Sequence, residues 1–303
     1  MSRLLALLAL PFLLITAHPA AADILDASGV EQAIARGAIV WDVREPAAYR
    51  QGHLPGAVTV DGAADILRLP TPREFDALVR AEKTLSAAGI DLGKEVVVYA
   101  HRGSPVAYAA LAAVRYFGGT HASVFHDGVE GWVEAGKPLV AGETPRTPVS
   151  IRIRPNTAMT VTTDELIARV KNPDVQILDV RTPAEYVGLD VRGPRGGHVP
   201  GAVNIPYEQN WVDPDAAQKL ARRQIADTSG MALKPTAELR KLYETLDPTK
   251  ETIVYCQSGN RASETFGILQ ELGFTKVRLY KLSWSAWSAR PDAPVVTGSA
   301  PGR

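Results

Sequence analysis

The sequence predicts an α/β protein made of two copies of one domain, each a mainly parallel central sheet with helices on both faces. Three observations carry this. Short apolar runs alternate with amphipathic stretches, which argues for strands joined by helices and a parallel-type sheet covered on both sides. The order of these runs occurs twice along the chain. Two loops that follow apolar runs ending in Tyr also read alike: "VVVYAHRGSPVA" (Val96 to Ala107) and "TIVYCQSGNRAS" (Thr252 to Ser263).

Each element can be taken in turn. Both copies open on an amphipathic helix, "VEQAIARG" in the first and "TDELIARVK" in the second. A short apolar strand follows, "AIVWDV" and "VQILDV". Next comes a polar turn built on Gly-His-x-Pro-Gly. Here Asp42, Arg44, Pro46, Tyr49, His53, Pro55 and Gly56 pair with Asp179, Arg181, Pro183, Tyr186, His198, Pro200 and Gly201. The second copy is longer between its Tyr and its His, so it carries an insertion near Val187 to Gly196. A longer helical region precedes a second strand, "EVVVYA" and "ETIVYC". The helix after the second loop shows Phe266, Leu269 and Leu272 at helical spacing, with Gly273 as its C-terminal stop. Its counterpart runs from Pro105 to Phe117 and stops at Gly118. The third strands are "HASVFHDG" and "KVRLYKLS", and Trp132 pairs with Trp287.

The stretch from Ala141 to Thr157, rich in Pro and Thr, reads as a linker. The expected organisation is therefore a first domain over residues 23–142, a linker over 143–158 and a second domain over 159–303. Residues 1–22 are set apart. Arg3, an apolar core from Leu4 to Ile15 and Ala20-Ala21-Ala22 describe a secretory signal peptide. The core is shorter than the ~20 residues of a spanning helix, so an uncleaved membrane anchor is the weaker reading. The mature protein is expected to be exported, to a periplasm if the source is bacterial, with no membrane contact after cleavage.

Charge narrows the function classes. The chain has 33 basic and 33 acidic side chains, which leaves no electrostatic footprint for nucleic acid. Cys256 is the only cysteine in 303 residues. It cannot form an internal disulfide, so in an exported protein it reads as a reactive thiol or as a small buried hydrophobe. Its neighbours favour the first. Cys256 ends a strand, where open α/β sheets bind ligands. The loop Cys256-Gln257-Ser258-Gly259-Asn260-Arg261 then enters a helix. Gly259 and Asn260 tolerate positive φ, so backbone N–H groups can converge on one point in front of a helix N-terminus. Such a cradle favours thiolate over thiol, and Arg261 is expected to add a full positive charge. The matched position in the first copy is Ala100.

These motifs resemble those of the tandem-domain rhodaneses, a family of sulfurtransferases. "DVRTPAEY" and "GHVPGAVNIP" resemble the strand and turn that open a rhodanese domain, and "CQSGNR" resembles the six-residue active-site loop. "YKLSWSAW" (Tyr280 to Trp287) resembles the family's Gly-Ser-Trp-x-x-Trp segment, with Leu282 where Gly is usual. "LSAAGIDLGKEVVVYA" resembles the approach to the first-domain loop. The resemblance covers roughly Asp23 to Val296. It implies two rhodanese-like domains, the first without the catalytic cysteine and the second catalytic through Cys256, with Gln257, Ser258, Gly259, Asn260 and Arg261 binding substrate. It implies transfer of a sulfane sulfur from a donor such as thiosulfate, through a Cys256 persulfide, to cyanide or a thiol. That is covalent catalysis in two half-reactions, needing no metal or organic cofactor. The partners expected are a small donor and a thiophilic acceptor, a thiol protein included, for a monomeric enzyme.

Other residues carry blander expectations. Asp179 with Arg181, and Asp42 with Arg44, are read as structural ion pairs because both copies have them. His53 and His198 are read as bonding to backbone. Glu185 stands where thiosulfate enzymes of the family place an arginine, and Gln257 is neither the basic residue of those enzymes nor the Gly of mercaptopyruvate enzymes. The donor is thus left open between thiosulfate and 3-mercaptopyruvate. Trp284 and Trp287 are candidates for shaping the pocket or for packing. Two rivals remain. One is a Cys-dependent phosphatase on the same fold, whose loop needs five residues between Cys and Arg where four stand here. The other is a sulfur-carrier or binding module with little turnover.

Overall fold

A computed structural model describes residues 23–67 and 75–302. The signal peptide expected at residues 1–22 lies outside the described residues. Within them are two four-stranded sheets. The first holds β1 (Asp23–Leu25), β2 (Ile39–Asp42), β3 (Val96–Tyr99) and β4 (Ala122–Phe125). Its helices are α1 (Ala27–Ala35), α2 (Pro46–Gln51), α3 (Ala63–Ile66), α4 (Phe75–Ala87), α5 (Pro105–Tyr116) and α6 (Gly128–Glu134). The second holds β5 (Val175–Asp179), β6 (Ala202–Asn204), β7 (Glu251–Tyr255) and β8 (Val277–Leu279). Its helices are α7 (Thr163–Arg169), α8 (Pro183–Val187), α9 (Ala216–Ala221), α10 (Thr236–Leu242), α11 (Asn260–Glu271) and α12 (Ser283–Ala289).

The strand orders are β1-β4-β3-β2 and β6-β5-β7-β8, and every pairing is parallel. β2, β3 and β4 are buried at every residue, as parallel strands covered on both faces must be. Two outer strands depart from the expected plan, in which helices open both copies and no strand follows the Gly-His-x-Pro-Gly turn. β1 pairs with β4, and β6 pairs with β5. Each is matched in the other copy by one isolated bridge, Thr160 to Leu279 and Trp41 to Val58. Three residues at a sheet edge are too few for an alternating pattern to register in sequence.

The duplicated Asp-Arg pairs lie at the ends of β2 and β5. Arg181 Nη2 reaches Asp179 Oδ2 at 2.6 Å and Gly197 O at 2.7 Å, and Tyr255 Oη donates to the same carboxylate at 2.6 Å. Arg44, Gly52, Asp42 and Tyr99 repeat this arrangement. Each pair therefore locks a strand end to the following turn. His53 and His198 stack on Tyr49 and Tyr186 and bond through Nδ1 to those residues' carbonyls. These are the structural roles expected.

The expected linker runs extended along the first domain. Val149 N donates to Ser86 O, Arg154 N to Phe117 O and Asn156 N to Tyr116 O. The two halves then meet through α5 and α11, the helices that follow the two matched loops. α5 is rich in alanine on its buried side (Ala107, Ala109, Ala110, Ala112, Ala113), and α11 presents Ala262 and Gly267. Small residues let the backbones approach closely. One hydrophobic cluster consequently spans both halves, with Val98, Tyr108 and Leu111 joined to Val254, Phe266 and Leu269.

Candidate active site

Cys256 follows β7 directly and is 1% exposed. Three backbone features hold it. Trp284 N donates to Cys256 O at 3.0 Å and Ser285 N donates to Gln257 O at 3.0 Å, so the first turn of α12 anchors the loop. Ser283 Oγ accepts from Cys256 N at 3.1 Å and itself donates to Tyr280 O at 2.8 Å. The loop closes on Gly259, at φ +96°. A side chain there is impossible, because a Cβ would meet both the carbonyl oxygen and Cδ of Lys281 at 2.4 Å.

This turn aims Gly259 N–H at the thiol, with N to Sγ at 3.0 Å; Ser283 Oγ lies 4.0 Å from Sγ. Ser263 N–H instead donates to Gly259 O at 3.1 Å, which starts the helix ladder. The earlier amides of Ser258, Asn260, Arg261 and Ala262 find no acceptor among the described residues. They are the free donors of a helix start. A thiol beside such amides faces the positive end of α11. Burial and polarity thus coexist at Cys256.

The five residues after Cys256 divide between two tasks. Ser258 and Asn260 line a cleft of about 690 Å³ between the two domains. The facing wall is the first domain's own loop and its surroundings, with Val43, Arg44, Pro46, Ala100, His101 and Ser104. Gln257 turns away, donating to Arg192 O at 2.8 Å. Arg261 also has a carboxylate partner, while its charge still acts on Cys256 as expected. Both its terminal nitrogens bond Glu185 at 2.8 Å. Glu185 is itself fixed by the capping box of α8, where Thr182 and Glu185 satisfy each other's backbone amides. Burial would push Glu185 up, but the Arg261 guanidinium outweighs it and holds the carboxyl at about 2.

Two site residues carry no role in the sequence reading. Ser283 adopts φ +56°, unusual for a residue with a side chain; its match in the first copy, Gly128, also has φ +56°. Lys281 is buried at 7% exposure, and its Nζ donates to Asn260 Oδ1 at 3.0 Å. The sequence signal for it was a lone charge between Tyr280 and Leu282, straight after an apolar strand. Trp284 and Trp287 are core residues, with Arg181 stacked over Trp284 at 4.5 Å.

The first-domain loop is occupied by packing. Gly103 presses on Met231, whose Cβ would lie 2.7 Å from an added Cβ. His126 Nε2 lies 2.9 Å from Met231 O. Arg102 is tied to Asp127 and Glu134, and His101 to Glu130.

Comparison with known proteins places the chain among its relatives. A thiosulfate sulfurtransferase of Corynebacterium glutamicum is 34% identical over 263 residues, covering 82% of this chain and 81% of that protein. The sulfur carrier protein TtuD of Thermus thermophilus is 31% identical over 266 residues, covering 82% of this chain and 87% of that protein. The crystal structure of an anaerobic ergothioneine biosynthesis enzyme from Chlorobium limicola matches with a TM-score of 0.73. It covers 91% of this chain and 70% of that one at 23% identity, a likeness of fold. The rhodanese-like domain family matches twice, over residues 26–135 and 162–290. With both halves matched and one of them bearing the loop thiol, the chain belongs to the rhodanese family as a tandem-domain member.

Proposed function

We propose that the protein is a sulfurtransferase that moves a sulfane sulfur from a donor such as thiosulfate to cyanide or a thiol, through a persulfide on Cys256. One observation carries the reading: the single thiol sits 3.0 Å from the Gly259 amide, ahead of helix amides that have no acceptor among the described residues. The sulfurtransferase relative and the family support the reaction class. In the first half-reaction the Cys256 thiolate attacks the outer sulfur of thiosulfate. The donor S–S bond breaks and its electron pair leaves on sulfite. In the second, the acceptor attacks the outer sulfur and Cys256 departs as thiolate. The loop amides offset negative charge on the outer sulfur, as fixed donors do for oxyanions.

A second reading, a sulfur carrier with little turnover, is favoured by the likeness to the sulfur carrier protein. A donor panel separates the two. Thiosulfate, 3-mercaptopyruvate and polysulfide are each incubated with the protein, and intact mass is recorded before and after cyanide. The enzyme reading expects a 32 Da (roughly one sulfur atom) adduct that cyanide removes over many turnovers. A stable adduct with one turnover selects the carrier, and no adduct with any donor refutes both. Export of the mature protein remains part of the proposal.

A further inference from the structure

Lys281 is a buried cation with no carboxylate beside it among the described residues. Its stem lies along Gly259, the residue whose amide donates to the Cys256 sulfur; its head bonds Asn260, which lines the cleft. The other cation of the loop, Arg261, is engaged by Glu185 through both terminal nitrogens. The matched residue of the first domain is His126, which is turned to Tyr108 and to Met231 O instead. A buried ammonium must either find a negative partner or give up its proton. The charge that acts on Lys281 is that of Cys256, which Arg261 also faces while paired with Glu185. Burial lowers Lys281 to about 8, and the negative charge of Cys256 pulls it back upward.

We infer that Lys281 is a second counter-ion of Cys256 beside Arg261, a positioning residue that steadies the loop through Asn260 and offsets the thiolate and then the persulfide. The inference rests on the proposed persulfide reaction and deepens it. In that reaction the loop bears one negative charge before and after sulfur transfer: thiolate and thiosulfate become persulfide anion and sulfite, and no proton moves. A fixed ammonium therefore suits both states, and a general base is not required.

Two experiments test this. The first measures single-turnover persulfide formation from thiosulfate by intact mass, for wild type, Lys281→Met and Lys281→Arg, from pH 6 to pH 10. Lys281→Met should be slower by about tenfold or more at pH 7, and Lys281→Arg should stay within about threefold of wild type. The wild-type rate should fall as Lys281 loses its proton, while Lys281→Arg holds its rate to higher pH. A folded Lys281→Met variant with the wild-type rate and pH profile overturns the inference. The second uses wild-type protein, so it stands whether or not the variants fold. The Lys281 side chain is titrated by NMR in lysine-labelled protein before and after alkylation of Cys256 with iodoacetamide. Loss of the sulfur's negative charge should move the lysine midpoint down, and an unchanged midpoint refutes the pairing. Alkylation needs no persulfide, so this result is independent of whether the donor panel succeeds.

Discussion

Ser283 combines strain with a bond that the loop needs. A residue with a side chain in the left-handed region costs roughly 1 kcal/mol, and the first copy avoids that cost with Gly128. The hydroxyl returns an acceptor to the buried Cys256 amide. Ser283→Ala keeps the strain and strands that amide, which should cost about 1–3 kcal/mol. The expected result is a lower Tm in calorimetry and a turnover reduced by about tenfold, since the loop loses one of its three backbone anchors. Glu185 offers a second test at this scale. Its carboxyl, ordinarily near 4.5, is held at about 2 by Arg261. A lowered carboxyl contributes stability that is complete above about 4.5 and is lost as pH falls through about 2. Glu185→Gln should therefore cost about 2–3 kcal/mol in urea unfolding at pH 7. The gap from wild type should narrow as pH falls from 4.5 toward 2.

At the scale of elements, the two loops show what one duplication can become. Both follow a buried strand and both feed a helix at the domain interface. The second keeps Gly259, Cys256 and amides without an acceptor among the described residues around one point. In the first, Pro105 occupies the first turn of α5 and supplies no N–H. Gly103 abuts Met231 of the other domain. Ala100 is 3% exposed in the shared core. Restoring a thiol alone should not restore chemistry. Cys256→Ser should abolish sulfur transfer to cyanide, because a neutral hydroxyl is a weak nucleophile without a base. The double variant Ala100→Cys/Cys256→Ser should remain below about a hundredth of wild type. Activity near wild type would show that only the thiol was missing.

The whole molecule is held by a core that both halves share, so the cleft depends on their docking. His126 is a latch in that docking, buried against Tyr108 and the Met231 carbonyl. Burial lowers its pKa from 6.5. A base with a lowered folded pKa leaves stability complete above 6.5 and loses it as pH falls below, because the unfolded chain binds the proton first. Protection from hydrogen exchange around Met231, relative to the intrinsic rate at each pH, should therefore fall between pH 6.5 and pH 5 in wild type. His126→Gln should show a flatter dependence. Targeting also belongs to this scale. The Arg3, apolar core and Ala20-Ala21-Ala22 pattern predicts cleavage after Ala22, which leaves Asp23, the first residue of β1, at the amino terminus. N-terminal sequencing of exported protein checks this, and a start at Met1 would refute it.

Sequence alone determined the repeat, the parallel α/β class and the loop that bears the thiol. Those features depend on local pattern: apolar runs at fixed order, a glycine where the chain must turn, and one cysteine among polar neighbours. The Asp-Arg pairs and turn histidines were legible for a related reason, since a residue kept in a copy without a thiol has work other than chemistry. Only the tertiary structure decided where the charges go. Arg261 reads as a free cation until α8 brings Glu185 against it from 76 residues away. Lys281 has no assigned role in the sequence until β8 and α12 carry it against Gly259. Short outer strands such as β1 and β6 are equally a matter of tertiary context, because their pairing partners lie far along the chain. Charge pairing depends on distance in space, and no spacing along the chain records which distant carboxylate will reach a guanidinium first.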